Sequence, residues 1–192
     1  MRHVSISWLA LSSFIVSPGI AAEPEATGRC IDGRYRQLAV SFPLQGLSDG
    51  REGHAWRVMY GYCLVQKGRF TLHQDWIISY LDVEPIGDAP GGDGVSFGTD
   101  FSVQWRHKRG ASLTPYYELG VGVQYAADIP IPAHGSQWTF TLNAGVGMLI
   151  TATQTLEINT AFRYFHLSNA GVVSNNAGYD AYHFVVGVRW LL

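Results

Sequence analysis

Long stretches of this chain alternate apolar and polar residues with a period of two, and this restricts the fold more than any other feature. In 95–106 the odd positions are Val95, Phe97, Thr99, Phe101, Val103 and Trp105; the even ones are Ser96, Gly98, Asp100, Ser102, Gln104 and Arg106. In 113–125 Leu113, Pro115, Tyr117, Leu119, Val121, Val123 and Tyr125 alternate with a set that includes Glu118, Gly120, Gly122 and Gln124. In 137–150 Trp138, Phe140, Leu142, Ala144, Val146, Met148 and Ile150 alternate with Gln137, Thr139, Thr141, Asn143, Gly145 and Gly147. Successive side chains on a strand point to opposite faces, so each stretch predicts a strand with one apolar face and one polar, Gly-rich face.

Counted this way the chain gives eight strands, at roughly 34–44, 54–65, 69–82, 95–106, 112–125, 136–150, 154–168 and 180–192. The connections alternate long and short: those near 45–53, 83–94, 126–135 and 169–179 are long, and those near 66–68, 107–111 and 151–153 are short. An even strand count with long connections at one end and short turns at the other is the pattern of an outer-membrane barrel, in which the apolar face meets lipid and the polar face fills the lumen. A soluble lipocalin-like barrel also has eight strands. It would not need a near-unbroken apolar outer face. Val185, Gly187, Trp190 and Leu192 resemble the terminal assembly signal of such barrels, which usually ends on an aromatic residue rather than Leu192.

The N-terminus fits export. Arg2 and His3 precede an apolar stretch, 6–20, that closes on Ala21 and Ala22, the layout of a secretory signal. Ser12, Ser13, Ser17 and Pro18 break that stretch too often for a spanning helix. Residues 1–22 are therefore expected to be a signal peptide and 23–192 a single barrel domain, placed in the outer membrane of a Gram-negative cell. Charged residues make up 15% of the chain, the net charge is −2 and there is no run of Lys or Arg, which argues against a nucleic-acid partner. The expected partners are outer-membrane lipids; a homodimer is left open. Cys30 and Cys63 could be bridged, since the periplasm permits disulfides, or remain two thiols.

Chemistry concentrates at the end of the seventh strand. The segment Tyr164-Phe165-His166-Leu167-Ser168-Asn169-Ala170-Gly171 is followed by Asn175-Asn176-Ala177-Gly178-Tyr179-Asp180. His166 and Ser168 are two apart on one strand, so they share a face, with backbones about 6.6 Å apart. Ile158, Thr160, Phe162 and Tyr164 set the outward phase that His166 and Ser168 continue. On the eighth strand Tyr182, Phe184, Val186, Val188 and Trp190 point outward, and Asp180 falls in the same phase. A nucleophile, a base and an acid thus share the lipid-facing surface of adjacent strands. With both termini periplasmic, the trio sits near the outer interface, where polar groups are cheaper than at mid-bilayer and where the ester-linked acyl chains of lipid A lie.

These residues resemble the PagL-type lipid A 3-O-deacylase family, whose pattern H-x-S-N-A, an Asn-containing loop and then an acid is met by His166, Ser168, Asn169, Ala170, Asn176 and Asp180. The motif spans about fifteen residues; elsewhere the likeness is limited to strand count and signal peptide. The resemblance implies an eight-stranded outer-membrane barrel that hydrolyses the 3-position acyl ester of lipid A without a cofactor or metal. Ser168 would be the nucleophile, His166 the general base and Asp180 the orienting acid, where the family commonly has Glu. Asn169, Ala170, Gly171 and Asn176 would contact the substrate or its oxyanion.

Blander readings compete with each assignment. A His two residues from a Ser is usually structural, because triads are defined by geometry. His73 and His183 point inward with Arg57, Asp75, Asp100, Arg106, Glu118, Glu157, Arg163 and Arg189, as a paired lumen network. His54, His107 and His134 fall in connections, and Pro90-Gly91-Gly92 punctuates a loop. The aromatic residues suit a membrane-interface belt. Two other functions remain open at this level: a non-catalytic structural or adhesion barrel, and a lipid A acyltransferase barrel.

Overall fold

The computed structural model describes residues 35–46, 53–85, 92–107, 112–126, 136–172 and 178–192. Residues 1–22, Cys30, His134, Asn175 and Asn176 lie outside the described residues. Eight antiparallel strands, each paired with its sequence neighbours, form a closed barrel: β1 (Tyr35–Gly46), β2 (Gly53–Lys67), β3 (Phe70–Val83), β4 (Gly92–Arg106), β5 (Leu113–Ala126), β6 (Trp138–Thr151), β7 (Leu156–Ser168) and β8 (Tyr179–Leu191). The pairing of β1 with β8 closes the ring and leaves no sheet edge, as lipid requires of a spanning sheet. Strands of 12 to 15 residues exceed the roughly 9–11 that a tilted strand needs to span.

The alternation seen in the sequence is the alternation of burial. Along β4 the outward Val95, Phe97, Phe101, Val103 and Trp105 are exposed, while Ser96, Asp100, Ser102, Gln104 and Arg106 are buried. Exposed Leu38, Val58, Trp76, Ile78, Leu119, Val121, Leu142, Val146 and Phe184 continue this apolar surface around the ring. Such a band is stable only against lipid. Every strand starts within three residues of the alternation count, and the largest difference is at β4, which begins at Gly92 rather than 95. Backbone pairing carries β4 past the last clear alternation, since Val83 still pairs with Gly92. His54, expected in a connection, is instead an exposed residue of β2 paired with Asp82.

The interior is a packed core, and it is less uniformly polar than the alternation implies. Arg57 donates to Asp100 at 3.0 Å, and Arg163 forms a forked pair with Glu118, its second bond 3.1 Å long. Arg189 reaches Gln37 at 2.9 Å and lies 3.8 Å from Glu157. Paired charges are the form in which charge tolerates burial; removing one partner of such a pair costs about 3–5 kcal/mol. Between these polar layers sit two apolar clusters, one of Ala39, Met59, Ile77, Tyr116, Leu149, Ala161 and Val185, the other of Ala55, Leu81, Phe165 and Leu167 with Tyr179 against it. The inner glycines make room for the large residues: a Cβ on Gly147 would run into the Tyr116 phenol. Cys63 is buried and disulfide-bonded; Cys30 is the chain's one other cysteine. Closing such a loop stabilises the fold by ~3–4 kcal/mol in the chain-entropy model.

The short connections 68–69, 107–112 and 152–155 lie at the end that also holds the start of β1 and the end of β8. The connections 47–52, 84–91, 127–137 and 169–178, the last three longer than any of those, lie at the opposite end. The end of β7 and the start of β8 belong to that second rim.

Candidate active site on the outer face of β7 and β8

His166 and Ser168 close β7, and Asp180 opens β8. Cross-strand register decides what they touch. His166 lies directly opposite Asp180 on one side and Leu142 on the other, and Ser168 lies opposite Phe140. Directly opposed residues have Cβ atoms about 5 Å apart, so the short Asp side chain reaches the ring: His166 Nδ1 and Asp180 Oδ1 are 2.7 Å apart. Both side chains are about one-third exposed, 31% and 30%, as expected of an outward-facing pair. The Tyr164 hydroxyl donates to the same Asp180 oxygen.

The Asp180 bond fixes the tautomer that the ring presents. With Nδ1–H donating to the carboxylate, Nε2 is the acceptor on the other edge. Ser168 shares the face of His166 one pleat farther along, yet its Oγ makes no hydrogen bond among the described residues. The structure therefore joins His166 to Asp180 and places Ser168 beside them without a Ser–His bond. Active-site hydrogen bonds of this kind commonly tighten when substrate binds.

Behind the outer face the strand is anchored. Phe165 and Leu167, on either side of His166 in sequence, point inward into the second apolar cluster. The Arg57 guanidinium stacks 4.2 Å from the Phe165 ring, and His183 meets that ring edge-on at 5.4 Å. Polar groups held in a fixed position need no reorganisation during reaction, and this packing gives β7 a rigid backing.

The chain turns sharply after Ser168. The Val172 N–H donates to the Asn169 carbonyl at 3.0 Å, and the two central residues, Ala170 at φ 52° and Gly171 at φ 77°, both lie in the left-handed region. Two positive φ values in succession mark a turn of the I′ kind. Gly adopts that region readily, whereas Ala170 does so at a cost of about 1–2 kcal/mol. Asn169 is fully buried, and its Oδ1 accepts the Gly171 N–H at 2.8 Å. Of the residues expected at the oxyanion, Asn169 and Gly171 are thus bonded to each other, Ala170 is exposed on the turn, and Asn176 lies outside the described residues.

Two contributors escaped the sequence reading. Parity places Tyr164 in the apolar face, although its hydroxyl shares the phase of His166 and reaches Asp180. Gly178 packs on the imidazole, and a Cβ there would stand 2.9 Å from His166 Cε1; a glycine two residues before the acid was the available signal.

The family model described as lipid A 3-O-deacylase (PagL) matches residues 44–189, which include the whole site. Among solved structures, Neisserial surface protein A (NspA) is similar with a TM-score of 0.59 at 17% identity, covering 84% of this chain and 98% of that one. The outer membrane enzyme PagL is similar with a TM-score of 0.55 at 22% identity, covering 79% and 97% respectively. OprG from Pseudomonas aeruginosa gives 0.54 at 12% identity, covering 83% and 96%. At these identities the structural likeness speaks to the fold, an outer-membrane barrel. No curated protein sequence matches. The family match covers about three-quarters of the chain and decides what the fold alone leaves open: this outer-membrane protein belongs to the lipid A 3-O-deacylase (PagL) family.

Proposed function

We propose that this protein hydrolyses the ester linking the acyl chain to the 3-position of lipid A, releasing a 3-hydroxy fatty acid by a serine mechanism. The observation that carries the proposal is the pairing of His166 Nδ1 with Asp180 at 2.7 Å, with Ser168 next along the same lipid-facing strand. In this reading His166 Nε2 accepts the Ser168 proton as Oγ attacks the ester carbonyl. The imidazolium so formed is stabilised by Asp180. The resulting oxyanion collapses, the C–O bond to the glucosamine breaks, and the departing alkoxide takes the proton from His166. Water, deprotonated by the same imidazole, then hydrolyses the acyl-serine. Donors around the turn that follows Ser168 hold the oxyanion, with Asn169 shaping that turn, and Asn176 is the proposed contributor from the β7–β8 connection.

Location supports the substrate. The trio faces lipid at the long-connection rim, and Phe140 and Leu142 flank it from β6. A substrate whose ester lies just below the headgroup needs this placement: polar catalytic atoms at the interface, with apolar wall below them.

The test is to incubate the purified, folded protein with purified lipopolysaccharide and analyse both products. The expected products are a 3-hydroxy fatty acid and lipid A lacking one acyl group at the 3-position. Transfer of an acyl chain onto lipid A, loss from another position, or no reaction would each overturn the reading.

A further inference from the structure

Asp180 receives two hydrogen bonds at one oxygen: Oδ1 is bound by His166 Nδ1 at 2.7 Å and by the Tyr164 hydroxyl. We propose that Tyr164 is a positioning residue of the deacylase site, its hydroxyl fixing the Asp180 carboxylate so that the carboxylate in turn fixes the His166 imidazole. The proposal rests on the reading of Ser168, His166 and Asp180 as the reacting set.

The arrangement follows from register. Tyr164, His166 and Ser168 occupy successive outward positions on β7, and Asp180 lies opposite His166 on β8. From that place its carboxylate is met by the imidazole and by the phenol one outward position before it. The phenol is itself held, since the Tyr164 ring meets Tyr182 edge-on at 6.1 Å, and Tyr182 is its cross-strand partner. A carboxylate about 30% exposed with a single partner could rotate toward the headgroup region. A second donor removes that freedom, and bonds to a charged acceptor are the strong ones. Tyr164 keeps the short Asp arm aimed at the ring.

Tyr164→Phe tests the proposal, because it removes the hydroxyl and keeps the ring. Activity is measured as 3-hydroxy fatty acid released from lipopolysaccharide over a range of substrate concentrations, with heat-modifiable migration as the check on folding. The expected result is a kcat lower by about tenfold, the worth of a hydrogen bond to a charged group, with KM unchanged. In an Asp180→Ala background Tyr164→Phe should cause no further loss, because it acts through that carboxylate. Wild-type kcat in Tyr164→Phe, beside an impaired Asp180→Ala, would overturn this proposal alone. An equal loss in both backgrounds would assign Tyr164 to packing and also overturn it. Wild-type kinetics in Asp180→Ala would overturn the proposal together with the reading on which it rests.

Discussion

The barrel contains a His–Ser pair on each of its faces, and the better-formed one is on the inside. Ser41 Oγ and His183 Nδ1 are 2.8 Å apart in the lumen, with both residues at most 2% exposed. His166 and Ser168 lie on the outside, about one-third exposed at the histidine and without a bond between them. By hydrogen-bond distance alone the inner pair would be chosen. It is sealed from lipid, however, and its charged neighbours are Arg57 and Arg163. A base must become a cation during catalysis, so surrounding arginines oppose the role while Asp180 favours it. Access and the sign of the neighbouring charge separate a structural His–Ser pair from a candidate catalytic one.

This contrast can be broken at several points. Removing the outer base should have the largest effect: His166→Ala is expected to lower kcat by ~10⁶-fold while the barrel stays folded. Asp180→Ala is expected to cost less, roughly 10⁴-fold, and to leave a measurable trace, because nucleophile and base remain. Asp180→Glu should keep substantial activity, since the site is open to the membrane surface and the longer arm can fold back toward the ring. An Asp180→Ala enzyme with wild-type kinetics would reduce the carboxylate to a solvated strand terminus.

Next in size is Gly178→Ala, whose Cβ would press on His166 Cε1. A ring displaced by a fraction of an ångström should lower kcat on the order of ten- to a hundredfold with the fold intact, and unchanged turnover would show that the imidazole is not confined from that side. The smallest effect on rate is expected at the inner pair. Ser41→Ala should leave deacylation unchanged and lower stability by about 1 kcal/mol, the cost of one lost hydrogen bond. Any large loss of activity there, in a barrel of normal stability, would break the distinction between the two pairs.

Much of this was legible before the structure. Period-two alternation placed all eight strands within a few residues, because in a membrane barrel each pleat must choose between lipid and lumen. The same parity put His166, Ser168 and Asp180 outside and Arg57, Arg163 and His183 inside. Register was not legible. That His166 stands opposite Asp180, rather than one pair away, depends on how the β7–β8 connection and ring closure fix the two strands together, which no local pattern encodes. Tyr164 was missed for a related reason: a phenol is apolar in its body and polar at its tip, and parity records only the body. The interior apolar clusters around Met59 and Phe165 escaped because lumen positions were expected to be polar, whereas a barrel this narrow fills its lumen with whatever packs.

The most direct test is to compare wild type with Ser168→Ala, each refolded to the same heat-modifiable barrel, for 3-hydroxy fatty acid released from purified lipopolysaccharide. The Ser168 side chain makes no hydrogen bond among the described residues, so the substitution should leave the fold unchanged. Release is predicted from the wild type and should be absent from Ser168→Ala. Equal release from both would contradict the serine mechanism.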